Sequence, residues 1–358
     1  MIYIGIDLHT HNMTLAAIND NDEELALEKI KCNKRELESF FSKIDQPVQD
    51  VVECTGNWYW LDDWCGETGI PLMLAHAKML KAISYSKVKT DPVDARMLAR
   101  LLRVKMIPEA WKTERHRRDL RELTRSRLKW IEKRTKLQNQ LSCMVGRYNL
   151  QIRSSDWRNI AELKSFLHKQ LCSEVYLEAR LLIDHVVQTQ HSIQQLETAI
   201  DAQIWYHEDL KRLMEIPGIG RVSAWTILAE IGDIKRFPTD KQFVSYCRLV
   251  PGSNDSAGKH RHKSGSKDGN RYLKLAFTQA ALGAYTHYKP VKKFYQKLQS
   301  RRSAFIARNV VAKQLARTVW HVLAKNQPYK GFKGQMTIKT KTSYWPCPVS
   351  PATPLGVS

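Results

Sequence analysis

The first ten residues constrain the fold of this chain more than any other stretch. Isoleucine at positions 2, 4 and 6 alternates with other residue types up to Asp7, and this period of two predicts a β-strand. β-Branched residues at alternate positions suit a buried central strand, so Asp7 is expected on the opposite face. A carboxylate there needs a compensating partner, and a metal ion is one. The alternative is a surface aspartate that ends the strand or caps the following turn.

The next hundred residues predict further strands and helices in a recognisable order. Strands are predicted over residues 13–19, 24–32, 48–54 and 71–75, and helices over 33–43 and 57–68. Three strands joined by such short turns should form an antiparallel meander. Three strands, helix, strand, helix, strand and helix is the order of an RNase H-like fold, in which the first and fourth strands lie side by side.

Three more carboxylates fall where that fold would bring them to Asp7. Glu53 ends the fourth strand, and Asp91 and Asp94 stand three residues apart at the start of a helix. Alone, the last two read as helix-start signals, with Asp91 as N-cap and Pro92 at the first position. Together, the four carboxylates should converge on one end of the sheet and require divalent cations. Oxygen ligands suit Mg²⁺ or Mn²⁺, and two such ions about 4 Å apart can clamp a phosphodiester.

The charge of the chain points to a polyanionic partner. Lys and Arg number 57 against 36 Asp and Glu over 358 residues, a formal net charge of +21, which favours nucleic acid over a membrane. No apolar run reaches the ~20 residues of a membrane span, and the N-terminus is predicted as a strand rather than a signal peptide. We therefore expect a cytoplasmic protein, and one that associates with the nucleoid during activity. Seven cysteines without a CxxC pair argue against disulfides and structural zinc.

A long helical hairpin is predicted over residues 111–212. Val186, Ile193 and Ile200 recur every seven residues, which is typical of a coiled-coil seam, within one chain or between chains. Residues 115–136 hold ten basic side chains against three acidic ones, an excess that favours a face contacting phosphates. The residues that we expect on this face are Arg117, Arg118, Arg121, Arg125 and Lys129.

Two features mark the mainly helical region of residues 213–325. Pro-Gly-Ile-Gly at 217–220 looks like the turn of a helix-hairpin-helix, where Gly218 and Gly220 would free backbone N–H groups for a DNA phosphate; an ordinary αα-hairpin is the alternative. A later loop is rich in glycine, serine and basic residues. It either grips a nucleic-acid backbone or presents a nucleophilic serine among cations. Its serines are Ser253, Ser256, Ser264 and Ser266, and its cations include Lys259, Arg261 and Lys267.

These motifs together resemble one known family. In order they are Tyr-Ile-Gly-Ile-Asp7, Val-Glu53-Cys-Thr-Gly, Lys-Thr-Asp91-Pro-Val-Asp94-Ala-Arg, Ile-Pro-Gly-Ile-Gly and Ser256-Ala-Gly-Lys. The chain resembles the DEDD transposases of bacterial insertion sequences, whose members act as bridge-RNA-guided serine recombinases. The resemblance implies four regions: a RuvC-like domain over 1–110, a coiled-coil linker over 111–212, a C-terminal transposase domain over 213–325 and a mobile tail over 326–358.

The resemblance also implies roles for particular residues and partners. Asp7, Glu53, Asp91 and Asp94 become a metal-binding catalytic tetrad, and Ser256 the nucleophile. DNA donor and target, a structured noncoding guide RNA and a homo-oligomer, dimer to tetramer, become the partners. Two departures bear on the serine: Ala257 replaces the usual glycine, and His262-Lys-Ser264-Gly265 replaces an apolar-containing stretch.

Three other functions fit parts of the sequence. A RuvC-like nuclease would hydrolyse branched DNA through the carboxylates, with Ser256 a bystander. A basic architectural protein would leave the carboxylates without a catalytic role. An actin-like phosphotransferase would use the first strand and turn, although His9 stands where a glycine is wanted. A serine that keeps the phosphate bound permits rejoining without an external energy source, so recombination is the function we favour from sequence.

Overall fold

The computed structural model of the chain describes residues 1–54, 56–83, 90–204, 208–250, 255–256, 259–260 and 268–331. It divides into two units, Met1–Arg115 and His116–Ser358. The strands of the first unit are β1 (Ile2–Leu8), β2 (Asn12–Ile18), β3 (Glu24–Lys31), β4 (Val48–Glu53) and β5 (Leu72–Ala75). Its helices are α1 (Lys34–Phe41), α2 (Tyr59–Thr68), α3 (Ala77–Ile83) and α4 (Asp91–Arg103).

The five strands form one mixed sheet in the order β3-β2-β1-β4-β5. The first three strands are an antiparallel meander, whereas β4 runs parallel to both β1 and β5. The prediction that the first and fourth strands are neighbours is therefore confirmed, with Ile6 directly opposite Val52. This α/β arrangement is consistent with an RNase H-like domain.

The two faces of the sheet bury different side chains. The isoleucines at positions 2, 4 and 6 pack on one face with Leu61 and Trp64 of α2. Val51 packs on the other face with Leu98 and Leu102 of α4. Because side chains alternate along a strand, Asp7 belongs to the face that α4 covers. The predicted alternation of the first strand thus accounts for both layers of the core.

The second unit is built mainly from helices. They are α5 (Arg115–Gly146), α6 (Ile160–Gln170), α7 (Ser173–Ile204), α8 (Glu208–Met214), α9 (Arg221–Ile231), α10 (Asp240–Tyr246), α11 (Arg271–His287), α12 (Lys289–Gln299) and α13 (Ala304–Ala324). Two short strands, β6 (Asp255–Ser256) and β7 (Lys259–His260), pair antiparallel. α5 begins at the last residue of the first unit and otherwise belongs to the second.

The two long helices α5 and α7 run antiparallel. Arg127 forms a hydrogen bond with Glu197, and Arg134 forms one with Gln190. Residue numbers therefore increase along α5 as they decrease along the facing part of α7. Three residues of the predicted seam, Val186, Ile193 and Ile200, are buried. The helical hairpin is therefore present, while its coiled-coil geometry and the division into four regions stay predictions. None of the helices that the structure describes is long and apolar enough to cross a bilayer.

Candidate active site

Asp7 lies near the end of β1 with its side chain 17% exposed. Burial is the main cause that raises the pKa of its carboxyl, and the nearby charges of Asp91 and Asp94 raise it further. The neighbouring His9 acts in the opposite direction. Asp91 and Asp94 therefore lie near enough to Asp7 for their charges to act on it. Such a group is stabilised by added positive charge.

Asp91 reaches this region from the first position of α4, and it does not cap the helix. The N-cap is Thr90. The Asp91 carboxylate instead accepts a hydrogen bond from Lys29 Nζ, with 2.8 Å between Nζ and Oδ2. This bond is the main cause that lowers the pKa of Asp91 and also raises the pKa of Lys29. The capping role considered for Asp91 is therefore wrong, because its carboxylate is turned to β3.

His9 stands between the two aspartates. Its Nε2 is 3.2 Å from Oδ2 of Asp7 and 3.4 Å from Oδ1 of Asp91. One ligand atom from each of the three residues lies within 4.8 Å of the other two. This spacing suits a shared cation. The backbone carbonyl of His9 in turn accepts a bond of 2.6 Å from the side-chain amide of Asn57.

Glu53 and Asp94 lie at the edge of this group. Glu53 is the last residue of β4 and is half-buried. Ile6 of β1 is directly opposite Val52 of the parallel strand β4, and Asp7 and Glu53 are the next residues of these strands. The two acids therefore lie at the same level of the sheet. Asp94 is close enough to affect the charge on Asp7. The three-residue ligand group contains neither of them. The full tetrad therefore stays a prediction, supported by the strand register.

A close contact between α4 and β1 sets the distance between Asp91 and Asp7. A Cβ placed on Gly5 would lie 2.0 Å from the carbonyl oxygen of Ala95 and 2.5 Å from the amide nitrogen of Ala99. Only glycine allows the helix backbone to approach the strand so closely. Arg96 also binds Glu24 through two hydrogen bonds of 2.6 and 3.1 Å. The helix is thus held to the sheet at two places.

The donor set at this end of the sheet fits a divalent cation. Asp7, Thr14 and Lys29 are directly opposite one another across β1, β2 and β3. Thr14 is 2% exposed, and its hydroxyl has no hydrogen-bond partner among the described residues. Carboxylate oxygens of Asp7 and Asp91 would supply hard ligands of the kind that Mg²⁺ and Mn²⁺ take, and the imidazole of His9 would add a nitrogen ligand of the kind more typical of zinc or iron.

Sequence reasoning missed His9 and Lys29 as members of this site. His9 could have been found, because it stands only two residues after Asp7, which was already singled out. Lys29 could not, because its contact with Asp91 joins residues 62 positions apart. That contact depends on strand register and helix placement.

Ser256, the predicted nucleophile, lies in the short β6–β7 hairpin. Its backbone pairs with that of Lys259. The other candidates of this loop, Ser253, Ser264 and Ser266, lie outside the described residues, as do Arg261 and Lys267.

The two ends of the serine loop are joined to each other. Asn270 donates its backbone N–H to the carbonyl of Tyr246, 2.6 Å away, and Arg248 Nε donates to the carbonyl of Gly269, 2.7 Å away. Gly269 has φ +97°, and a Cβ there would lie 2.4 Å from the Tyr246 carbonyl oxygen. The positive φ and the close approach both require glycine. The loop therefore leaves and re-enters the helical core at one point.

A buried ion pair lies below that point. Glu230 of α9 is fully buried and accepts two hydrogen bonds from Arg125, of 2.6 and 2.9 Å. It also accepts a bond of 2.6 Å from the side chain of Asn270, which caps α11 through the amides of Tyr272 and Leu273. Sequence reasoning did not find this network, which joins α5, α9 and α11.

The basic residues predicted on α5 mostly make contacts within the second unit. Arg117 bonds the carbonyl of Gly232, Arg121 lies 3.8 Å from Glu230, and Arg118 is buried. Lys129, by contrast, is exposed. Phosphate binding by these residues stays a prediction, but internal contacts already explain much of the helix's arginine content.

The Pro-Gly-Ile-Gly turn lies between α8 and α9. Gly218 has φ +84°, and a Cβ on it would lie 2.1 Å from the carbonyl oxygen of Ala280 in α11. Gly220 is the N-cap of α9, and the space around it is open. Gly218 therefore serves helix packing, whereas the backbone at Gly220 remains accessible to a ligand. Phosphate binding at this turn stays a prediction.

Comparison with known proteins identifies the family of the chain. Residues 4–150 match a transposase family named for the DEDD transposase of IS110, and residues 210–296 match the family described as "Transposase IS116/IS110/IS902 family". The matches cover the carboxylate site and the helices around the serine loop. The chain belongs to the IS110/IS116/IS902 family of transposases. Transposases act on DNA and catalyse strand transfer, and the DEDD type suggests use of a divalent metal.

Individual relatives extend this similarity over most of the chain. The transposase for insertion sequence element IS1111A of Coxiella burnetii is 24% identical, with 91% of each chain covered. A probable family 20 transposase of Pseudomonas aeruginosa is also 24% identical, over 91% of this chain and 98% of its own. A pilin gene-inverting protein of Moraxella bovis is 27% identical over 55% of this chain and 68% of its own. Two of these relatives are thus named as transposases and the third as a gene-inverting protein.

Proposed function

We propose that this transposase cuts and rejoins the DNA of an insertion sequence with a carboxylate tetrad and a serine nucleophile. Asp7, Glu53, Asp91 and Asp94 would hold Mg²⁺ or Mn²⁺, and Ser256 would attack the phosphodiester. The observation that carries the proposal is the group formed by Asp7 of β1, His9 and Asp91 of α4, whose ligand atoms lie within 4.8 Å of one another, in a chain of this family.

The covalent step follows from the chemistry of a serine nucleophile. The Ser256 hydroxyl gives up its proton, and its oxygen forms a bond to phosphorus. The bond from phosphorus to one sugar oxygen breaks, and that oxygen takes a proton. The reverse reaction with another sugar hydroxyl rejoins the strand and frees the serine. A divalent cation at the carboxylates would supply positive charge to the phosphoryl oxygens. Lys259, Arg261 and Lys267 would add cationic side chains from the same loop.

The test is to capture the covalent intermediate. The full chain is incubated with DNA carrying the element's ends and Mn²⁺, denatured, digested and searched by mass spectrometry for a nucleotide bound to serine. We expect the adduct on Ser256, with Ser256→Ala losing both adduct and recombination. Ser253→Ala and Ser264→Ala are the matched controls and should keep both. An adduct mapped to another serine would assign the role of nucleophile to that residue and contradict the assignment to Ser256.

Hydrolysis by a RuvC-like nuclease is the competing mechanism, and the family does not favour it. Water as the nucleophile leaves no protein–DNA adduct. Strand cleavage by Ser256→Ala, with no adduct in either protein, would establish hydrolysis and contradict the serine mechanism.

The proposal includes a noncoding guide RNA and a homo-oligomer of two to four chains, acting in the cytoplasm on nucleoid DNA. One serine acts on one strand, so exchange between two duplexes needs several chains. Sequencing of RNA that copurifies with the chain should return a structured transcript from the element's flanks. Deleting those flanks should abolish recombination. Light scattering of the chain with RNA and DNA should give an assembly of two to four chains. Recombination without the flanks would contradict RNA guidance.

A further inference from the structure

The positive charge of the chain is concentrated in its second unit. Residues 1–115 contain 15 Lys and Arg against 18 Asp and Glu, which leaves 42 against 18 for residues 116–358. Within the second unit the last acidic residue is Asp268. Residues 269–358 hold 16 Lys and Arg and no acid at all. An exposed basic side chain of residues 269–358 therefore has no acidic residue within that range to pair with.

The helix α12 and the turn after it carry the densest group of these cations. We call this group the α12 cation face: Lys289, Lys292, Lys293, Lys297, Arg301 and Arg302. All six are exposed, and none makes an ion pair or side-chain hydrogen bond within the described parts of the chain. The opposite side of α12 packs on the core through the buried Val291 and the partly buried Phe294 and Tyr295. Only the cationic side faces solvent.

The arrangement of the lysines is unfavourable for an isolated helix. Lys289, Lys293 and Lys297 follow one another at intervals of four, so like charges repel along one face. Lys289 and Lys292 also stand in the first turn, at the positive end of the helix dipole. A cationic side chain placed for stability alone would have an acidic residue four positions away. Elsewhere the chain uses such pairing, as between Arg212 and Glu208 of α8.

The contrast with α5 distinguishes a binding surface from a structural one. Several arginines of α5 are directed to backbone carbonyls and to the buried Glu230, so their charge is already matched inside the fold. The cations of α12 have no such match and remain available to an external anion.

We propose that the α12 cation face binds the phosphate backbone of duplex DNA. Lys289 to Lys297 spans about 12 Å at 1.5 Å per residue, which matches the rise along the duplex axis of three or four phosphates of one strand. Lysine is a point charge that contacts phosphate without reading bases, so this surface holds DNA of any sequence. The partner is DNA because the family acts on DNA. The proposal depends on neither Ser256 nor a guide RNA.

The test compares two variants with equal changes of charge. In the first, Lys289, Lys292, Lys293 and Lys297 are all changed to Gln. In the control, four exposed cations of the α5–α7 hairpin are changed to Gln, namely Arg147, Arg158, Lys169 and Arg180. Fluorescence anisotropy with a labelled 20-base-pair duplex of arbitrary sequence gives the dissociation constant over a series of NaCl concentrations without divalent metal. Thermal melting checks that both variants fold.

We expect the slope of log affinity against log salt to become less negative by about 3 in the α12 variant, at ~0.9 per lost phosphate contact. Affinity at low salt should fall at least tenfold, and the control should keep the parent slope. An unchanged slope, or an equal change in the control, would overturn the proposal. A loss confined to duplex RNA of the same length would replace DNA by RNA as the partner. Because neither cleavage nor an adduct is measured, failure here is distinct from failure of the serine mechanism.

Discussion

Asp50 is a fully buried carboxylate in the middle of β4. Both its oxygens lack a hydrogen-bond partner among the described residues, and burial holds its pKa well above the ordinary value. The folded state therefore keeps the Asp50 proton at a pH where the unfolded chain has released it. Between the unfolded pKa of about 3.9 and the folded pKa, the free energy of unfolding falls as pH rises. Above the folded pKa the loss is complete.

We predict that Asp50→Val stabilises the first unit at neutral pH by about 1–3 kcal/mol, because it removes a buried group without partners. It should also flatten the decline of stability with pH. Chemical denaturation over pH 4–8 measures both effects. The exposed Asp45 gives the control Asp45→Val, which should leave the slope unchanged. A loss of stability in Asp50→Val would show that the carboxylate has a partner required for folding.

The ammonium group of Lys29 supplies positive charge at the carboxylate site, as a bound metal ion would. Its ammonium lies 2.8 Å from Asp91, so it competes electrostatically with a bound cation. We predict that Lys29→Met raises the affinity for Mn²⁺ roughly twofold to tenfold, since one repelling charge is removed. Electron paramagnetic resonance of free Mn²⁺ measures binding directly. The control is Lys43→Met. Lys43 forms an ion pair with Glu28, the neighbour of Lys29 in β3, so this variant also removes one paired lysine. Weaker binding in Lys29→Met would instead make Lys29 a support of the site.

The packing of α4 against β1 is the element-scale feature on which the site depends. We predict that Gly5→Ala destabilises the first unit by about 1–3 kcal/mol, because its Cβ would collide with the backbone of α4. Displacing α4 should also weaken Mn²⁺ binding, since Asp91 and Asp94 move with the helix. Gly66→Ala is the control. Gly66 lies in α2 with open space around it, so alanine there should stabilise by up to about 1 kcal/mol. Normal Mn²⁺ binding by a folded Gly5→Ala protein would show that metal binding does not depend on the contact between α4 and β1.

Elements of this chain could be predicted from sequence where local periodicity decides them. The strand through Ile6, the helix predicted over residues 33–43 and the β1–β4 neighbourhood are all confirmed, because alternation and helical periodicity act within a few residues. The environment of the α5 arginines could not be predicted. Arg125 and Glu230 are 105 positions apart, and composition alone cannot distinguish an arginine paired inside the fold from one exposed to DNA.

At the scale of the whole molecule, the carboxylates proposed to bind metal and the excess positive charge lie in different units. The carboxylate site belongs to the unit with 15 Lys and Arg against 18 Asp and Glu, and the unpaired cations of α12 belong to the other. A phosphate approaching the carboxylates without metal meets net negative charge, whereas the second unit attracts it. DNA binding and metal binding should therefore be separable by mutation.

We predict that the double variant Asp7→Asn, Asp91→Asn loses Mn²⁺ binding and strand transfer but keeps DNA affinity and its salt slope. Removing two carboxylates abolishes the ligands and leaves every cation of the second unit in place. The α12 variant with four glutamines provides the reciprocal control, because it should keep Mn²⁺ binding and lose DNA affinity. Resonance titration with Mn²⁺ and anisotropy without metal measure the two properties on the same preparations. A large loss of DNA affinity in the aspartate variant would mean that the carboxylate unit itself holds the duplex, and the division of roles between the units would be wrong.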